Sequence, residues 1–227
     1  SSFCNLKCKF CGYDKRDLEE HPHKNMDQNN FEKIVDEAID YGYKNIGLTP
    51  VTGEIFMDKK IIDKMSYLES KTLLNSFEFY SNFIPVDYEK IAKLFEFKKL
   101  KEFNISIYGH DDASFNKLTL GSKVNFERLI NNLNYLYEII SKNQKNTFPK
   151  ITIDHRTEKN FYLSKSENDL SNIIKKLMTS FDISYNYNYD FNNWGGLIKK
   201  EHIEGLDIFM KDKYMSKQGA CSLIFSK

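Results

Sequence analysis

The sequence predicts an α/β fold, a partial (β/α)6 TIM-like barrel of parallel strands. Segments with the apolar periodicity of helices alternate with short strand-like segments along the whole chain, which is typical of βαβ units. About six strands can be counted, too few for a closed eight-stranded barrel. Each strand also has one polar face, whereas strands buried on both faces of a doubly wound sheet are apolar throughout.

The helical segments are recognised by apolar residues at three- and four-residue spacing. The first contains Phe31, Val35 and Ile39; capping candidates precede it and Gly42 ends it. The later helical segments are 61–68, 87–95, 126–140 and 170–177.

The strand segments lie between these helices and alternate apolar with polar side chains. The predicted strands are a first one that ends at Phe3, followed by 46–49, 77–83, 103–108, 151–156 and 183–191. Their polar positions are Glu78, Tyr80 and Asn82; Asn104, Ser106 and Tyr108; Thr152, Asp154 and Arg156; and Asn186, Asn188, Asp190 and Asn192. If the apolar faces pack under helices, the polar faces converge on a lumen suited to a polar ligand. The alternative is a sheet face exposed to solvent.

Composition and charge limit the partners and the location to be expected. With 33 Lys and Arg against 32 Asp and Glu, the net charge of +1 gives no reason to expect a nucleic acid or an anionic membrane as partner. No stretch approaches the roughly 20 apolar residues that a membrane span needs. We therefore expect a cytoplasmic location and one hydrophobic core.

Three of the four cysteines fall within eight residues. Cys4, Cys8 and Cys11 form a C-x3-C-x2-C pattern just after the first predicted strand, and three thiolates on one loop can hold three irons of a [4Fe–4S] cubane while the fourth iron stays open. A zinc site completed by His21 or His23 is an alternative, although zinc sites usually show paired C-x2-C units. Three unrelated thiols are the other alternative.

The cysteine spacing, the aromatic Phe10 before the third cysteine and the position after the first strand resemble the radical SAM superfamily. The resemblance implies that S-adenosylmethionine (SAM) binds the open iron and that one electron from the cluster splits a C–S bond. The resulting 5′-deoxyadenosyl radical abstracts hydrogen from a substrate. The resemblance also implies an electron donor such as flavodoxin or ferredoxin.

Thr52-Gly53-Glu54 is similar to the Gly-Gly-Glu element of that family, with Thr in place of the first Gly and Ile55 where a proline commonly follows. The resemblance implies that the Glu54 carboxylate accepts hydrogen bonds from the SAM ammonium group and that Gly53 contacts SAM through its backbone.

Four further residues are expected around SAM. Ser106 and Arg156 match positions where similar enzymes contact the ribose or the carboxylate, and Asn82 shares their polar face. Trp194 lies before two glycines and could cover the adenine or shield the radical. The alternatives are an ion pair of Arg156 with Asp154 or Asp190, and a Trp194 that only caps the barrel.

His110, Asp111 and Asp112 are adjacent and rarely converge on one ion, so a loop or helix cap is predicted there. No residue stands out as a hydrogen donor to a substrate radical.

Cys221 stands alone, and a single late cysteine is usually a small buried residue. Its position also resembles the first ligand of a C-terminal SPASM or twitch extension that holds auxiliary clusters; the remaining ligands would lie beyond Lys227. We therefore predict a radical SAM partial barrel at 1–198, followed at 199–227 by a linker and the start of that extension. Many relatives with such extensions modify peptides or proteins, so a peptide or protein substrate is expected, with small molecules as the other class. The alternative functions are a non-catalytic zinc or iron–sulfur binding module and a degenerate fold that binds SAM without radical transfer.

Overall fold

The computed structural model describes residues 1–143 and 148–211. Helices and strands alternate in this part of the chain. The helices are α1 (Gln28–Asp40), α2 (Ile61–Ser70), α3 (Tyr88–Leu94), α4 (Asp112–Thr119), α5 (Lys123–Lys142) and α6 (Asp169–Ser180). The strands are β1 (Asn45–Gly47), β2 (Ser76–Ser81), β3 (Leu100–Tyr108), β4 (Lys150–Arg156), β5 (Ser184–Asn188), β6 (Asp190–Asn192) and β7 (Phe209–Lys211).

The main sheet contains β1 to β5 in sequence order, and each neighbouring pair is parallel. Parallel neighbours require a crossover connection, and a helical segment supplies one between each pair of neighbouring strands. β6 and β7 form a separate parallel pair. The predicted α/β fold with a partial barrel of parallel strands is confirmed.

Side-chain caps explain where most helices begin. The side chain immediately before the helix accepts a backbone N–H from its first turn in α1, α3, α4, α5 and α6, which satisfies a donor that has no partner inside the helix. Asp111 caps α4, so the prediction of a loop or cap at 110–112 is confirmed. The helix α4 itself was not predicted, because its eight residues offer little apolar periodicity.

The core lies between the apolar strand faces and the helices. Phe79 of β2 stacks on Phe103 of β3 at 5.3 Å between ring centroids, and both side chains are fully buried. The polar strand faces are enclosed only in part. Asn104 and Thr152, near the middle of β3 and β4, are buried, whereas Glu78 of β2 and Asn186 of β5 are exposed.

Two strand predictions are wrong. Residues 1–3 form no strand; the Ser2 N–H donates instead to the Lys24 carbonyl. The predicted strand 183–191 is broken at Tyr189 into β5 and β6. The Asn188 side chain accepts the Asp190 N–H at 2.6 Å, a local turn contact that competes with the sheet ladder.

Candidate functional site

A cavity of about 400 Å³ lies where the carboxyl ends of β1 to β4 meet. This edge of a parallel α/β sheet is where ligands usually bind. All ten candidate residues from the sequence lie on its wall: Cys4, Cys8, Phe10, Cys11, Gly53, Glu54, Asn82, Ser106, Arg156 and Trp194. The fold therefore brings the candidates together, and their individual roles remain predictions.

The cysteine loop is tied to the barrel by backbone hydrogen bonds. The N–H groups of Lys7 and Lys9 donate to the carbonyls of Thr119 and Leu118 at the end of α4, at 3.1 and 3.0 Å. The Tyr13 hydroxyl accepts the Cys4 N–H at 3.1 Å. These bonds hold the loop against the cavity, with Cys8 buried and the other two cysteines half-buried.

The three thiols are in a poor environment for a bare negative charge. Burial raises the pKa of Cys4 to about 12 and also raises the pKa of Cys8 and Cys11, and the neighbouring cysteines add to the rise at Cys4 and Cys8. Thiolates become stable here only when cationic iron neutralises them. A soft, three-sulfur wall on one cavity fits a [4Fe–4S] cluster.

A single-ion site is less well matched. Among residues 1–143 and 148–211, no three His, Cys, Asp or Glu side chains converge as one metal ion would require. A cubane makes no such demand, because each thiolate binds a different iron. His23, proposed as a zinc ligand, stacks on Tyr13 and interacts through Nδ1 with the Ser2 carbonyl and with Arg16. These partners occupy Nδ1 of His23.

Glu54 joins the Gly-Glu loop to the end of β2. Its carboxylate is 3% exposed and accepts the Ser81 hydroxyl at 2.7 Å, the Asn82 N–H at 2.7 Å and the Phe56 N–H at 3.2 Å. A carboxylate has about four acceptor positions, so about one, on Oε2, remains for a ligand. Burial raises the pKa of Glu54, and hydrogen-bond donors, led by the Asn82 N–H, oppose that rise.

Gly53 is needed for a close approach between two loops. Its φ is +126°, and a Cβ at this position would lie 2.5 Å from the Ser1 carbonyl oxygen. The next N–H, of Glu54, donates to the Phe3 carbonyl at 2.7 Å. Glycine therefore lets the Gly-Glu loop press against the start of the cysteine loop.

Tyr108, Arg156 and Asn188 lie side by side across β3, β4 and β5. In the part of the chain that the structure describes, no ion pair joins Arg156 to a carboxylate, and Asp154 instead accepts the amide of Asn186 at 2.9 Å. The Arg156 guanidinium on the cavity wall can therefore bind an anionic group. Burial raises the pKa of Tyr108, whose hydroxyl interacts with Ser106.

Sequence reasoning missed Arg16. Its guanidinium donates to the Thr52 hydroxyl at 3.1 Å, lies 5.4 Å from the centroid of the Tyr13 ring and lowers the pKa of Cys11 against the effect of burial. The contact joins the cysteine loop to the Gly-Glu loop across 36 residues. A basic residue in a polar stretch gives no local signal of such a contact.

Phe10 and Trp194 meet directly. The indole N–H of Trp194 donates to the Phe10 carbonyl at 2.9 Å, and the Phe10 ring lies 4.4 Å from that of Phe191 and 5.0 Å from that of Tyr108. Cys221 lies outside the described residues, and so does most of the predicted extension.

No helix among the described residues has the length and apolar character of a membrane span.

A family model described as the Radical SAM superfamily matches residues 1–158. No curated protein matches the chain. The crystal structure of Streptococcus suis SuiB bound to S-adenosylmethionine is similar with a TM-score of 0.55 and 16% identity, over 94% of this chain and 42% of that chain.

Native anSMEcpe with bound AdoMet gives a TM-score of 0.57 and 16% identity, over 82% of this chain and 49% of that chain. The crystal structure of HydG, a maturase of the [FeFe]-hydrogenase, gives a TM-score of 0.54 and 12% identity, over 82% of this chain and 41% of that chain. The chain spans less than half the length of these structures, and at such identities the likeness shows the fold.

Proposed function

Because the chain belongs to the Radical SAM superfamily, whose members use a [4Fe–4S] cluster and SAM, we propose that it is an enzyme that starts radical chemistry on a substrate. The observation that carries the proposal is the cavity on which three cysteine thiols, the buried Glu54 carboxylate and the Arg156 guanidinium, which has no ion-pair partner among the described residues, converge. Cys4, Cys8 and Cys11 hold the cluster.

The protein groups orient SAM beside the cluster. The remaining acceptor position of Glu54 suits the ammonium group, and the guanidinium of Arg156 suits the carboxylate in a paired, charge-assisted contact. Ser106 and Asn82 line the same wall and offer further hydrogen bonds, and the Gly53 backbone lies beside them. The bound cluster and SAM supply the radical, while the protein positions them and limits access of water.

We further propose a peptide or protein substrate that reaches the cavity over the exposed part of the polar sheet face, to which Glu78 and Asn186 belong. A solved structure of anSMEcpe contains AdoMet and a peptide, which supports this class over small molecules. A flavodoxin or ferredoxin as electron donor and a cytoplasmic location complete the proposal. The boundary at residue 198, with an auxiliary-cluster extension after it, belongs to the same proposal.

The experiment is anaerobic reconstitution with iron and sulfide, followed by reduction in the presence of SAM. We expect iron–sulfur absorbance and formation of 5′-deoxyadenosine. Cys8→Ala removes both, whereas Thr179→Ala, at an exposed position of α6 away from the cavity, retains them. Cluster binding and SAM cleavage that survive in Cys8→Ala would refute the proposal. Stoichiometric zinc without acid-labile sulfide would favour the binding-module alternative.

A further inference from the structure

The segment 192–197, here called the tryptophan turn, folds back from the end of β6 onto the cysteine loop. The Asn192 side chain accepts the Trp194 N–H at 3.0 Å, and the Ile198 N–H donates to the Asn193 carbonyl at 3.0 Å. These bonds give the turn a defined shape.

Trp194 has an uncommon backbone conformation. Its φ is +51°, in the left-handed region that residues other than glycine rarely adopt. Gly195 and Gly196 continue in the same region at +67° and +95°. A bulky residue held in this conformation indicates that the surrounding contacts fix it, as often happens at functional sites.

The contacts that fix Trp194 come from the cysteine loop. Its indole N–H donates to the Phe10 carbonyl, which directly precedes Cys11, and its ring packs over Gly12. A Cβ on Gly12 would lie 3.3 Å from Trp194 Cε3 and 3.1 Å from Leu197 Cδ2. The cysteine loop therefore supplies a hydrogen-bond acceptor, the Phe10 carbonyl, and at Gly12 a position without a side chain against which the indole packs.

We propose that Trp194 is a positioning residue that latches the tryptophan turn over the cysteine loop and slows loss of the cluster. The inference rests on the proposed function for the identity of the cluster. The indole touches the loop backbone on either side of Cys11, so opening the turn frees one edge of the cluster site.

The chain contains a single tryptophan, so intrinsic fluorescence reports on the latch without any label. In the cluster-free protein, Gly12→Ala places a methyl group against the indole. We expect its emission to shift to longer wavelength and its quenching by acrylamide to increase relative to wild type. Unchanged emission and quenching would overturn the latch. This comparison needs no cluster, so a failure of reconstitution would count against the proposed function and not against the latch.

The second arm measures cluster lifetime. Trp194→Phe keeps an aromatic ring but loses the N–H donor, so the reconstituted variant should release iron to a chelator about two- to tenfold faster than wild type. Tyr189→Phe, a matched loss of one polar group at an exposed aromatic near the turn, should release iron at the wild-type rate. The melting temperature of each cluster-free variant separates a latch from a general loss of stability.

Equal release rates for Trp194→Phe and wild type would overturn the proposal. So would faster release accompanied by an equal fall in the stability of the cluster-free protein. If Trp194→Phe does not fold, the fluorescence of Gly12→Ala decides the question alone.

Discussion

His155 should make the stability of this protein depend on pH. Its side chain is fully buried on the helix-facing side of β4, where Nε2 donates to the Gly109 carbonyl at 2.8 Å and Nδ1 accepts the Tyr185 hydroxyl at 2.9 Å. Both contacts suit the neutral imidazole. Burial lowers the pKa of His155 from 6.5 to about 4; the Gly109 carbonyl opposes the shift, and His110 adds to it.

The sign follows from proton binding. Between pH 6.5 and about pH 4 the unfolded chain binds a proton at this histidine and the folded protein does not, so stability falls as pH falls. With about 1.4 kcal/mol per pKa unit, the free energy of unfolding should drop by about 2 to 3 kcal/mol by about pH 4.5. For a chain of this size, that corresponds to a melting temperature lower by about 4 to 12 °C.

The assay is thermal unfolding of the reduced, cluster-free protein followed by circular dichroism from about pH 7.5 to about pH 4.5. His155→Gln should show a shallower decline with falling pH than wild type, and His21→Gln, at an exposed histidine, should follow wild type. Titratable groups that all three proteins share contribute equally to each pH dependence, so they do not affect the difference between the curves. Parallel curves for His155→Gln and wild type would refute the reasoning.

The remaining predictions concern binding of SAM to the cluster-loaded protein, measured by equilibrium dialysis. Glu54→Gln removes the charge and turns an amide N–H₂ toward an existing donor, the Asn82 N–H or its neighbours, so we expect about ten- to a hundredfold weaker binding. Glu69→Gln is the control: it also replaces a carboxylate that accepts backbone N–H groups, but one that lies away from the cavity, so this variant should bind SAM with wild-type affinity. If Glu54→Gln also binds SAM with wild-type affinity, Glu54 does not contact SAM. Arg156→Lys should bind SAM about tenfold more weakly, because an ammonium group cannot form the paired contact. Arg128→Lys, the same substitution at an exposed arginine, is the control. Equal SAM affinity of the Arg156→Lys and Arg128→Lys variants would exclude Arg156 as the partner of the SAM carboxylate.

Local sequence signals determined most of the architecture. Helix periodicity and strand alternation depend on near neighbours in sequence, so five of the six helices in the described residues, all but α4, and the five strands of the main sheet could be anticipated. The three cysteines lie within one loop, so their shared role could be inferred without a fold. Because the carboxyl ends of parallel strands meet at one edge, residues at those ends, such as Ser106 and Arg156, could be placed together.

Only the tertiary structure decided which groups are engaged and which are available. Glu54 is held by Ser81 and Asn82, 27 and 28 residues away, and Trp194 reaches Phe10 across 184 residues. Such contacts form because chain folding brings distant backbone groups together, and no periodic pattern encodes them. The sequence alone thus predicted a cluster loop beside a polar lumen. The structure placed Arg16 and Trp194 against that loop, because their contacts depend on distances through space.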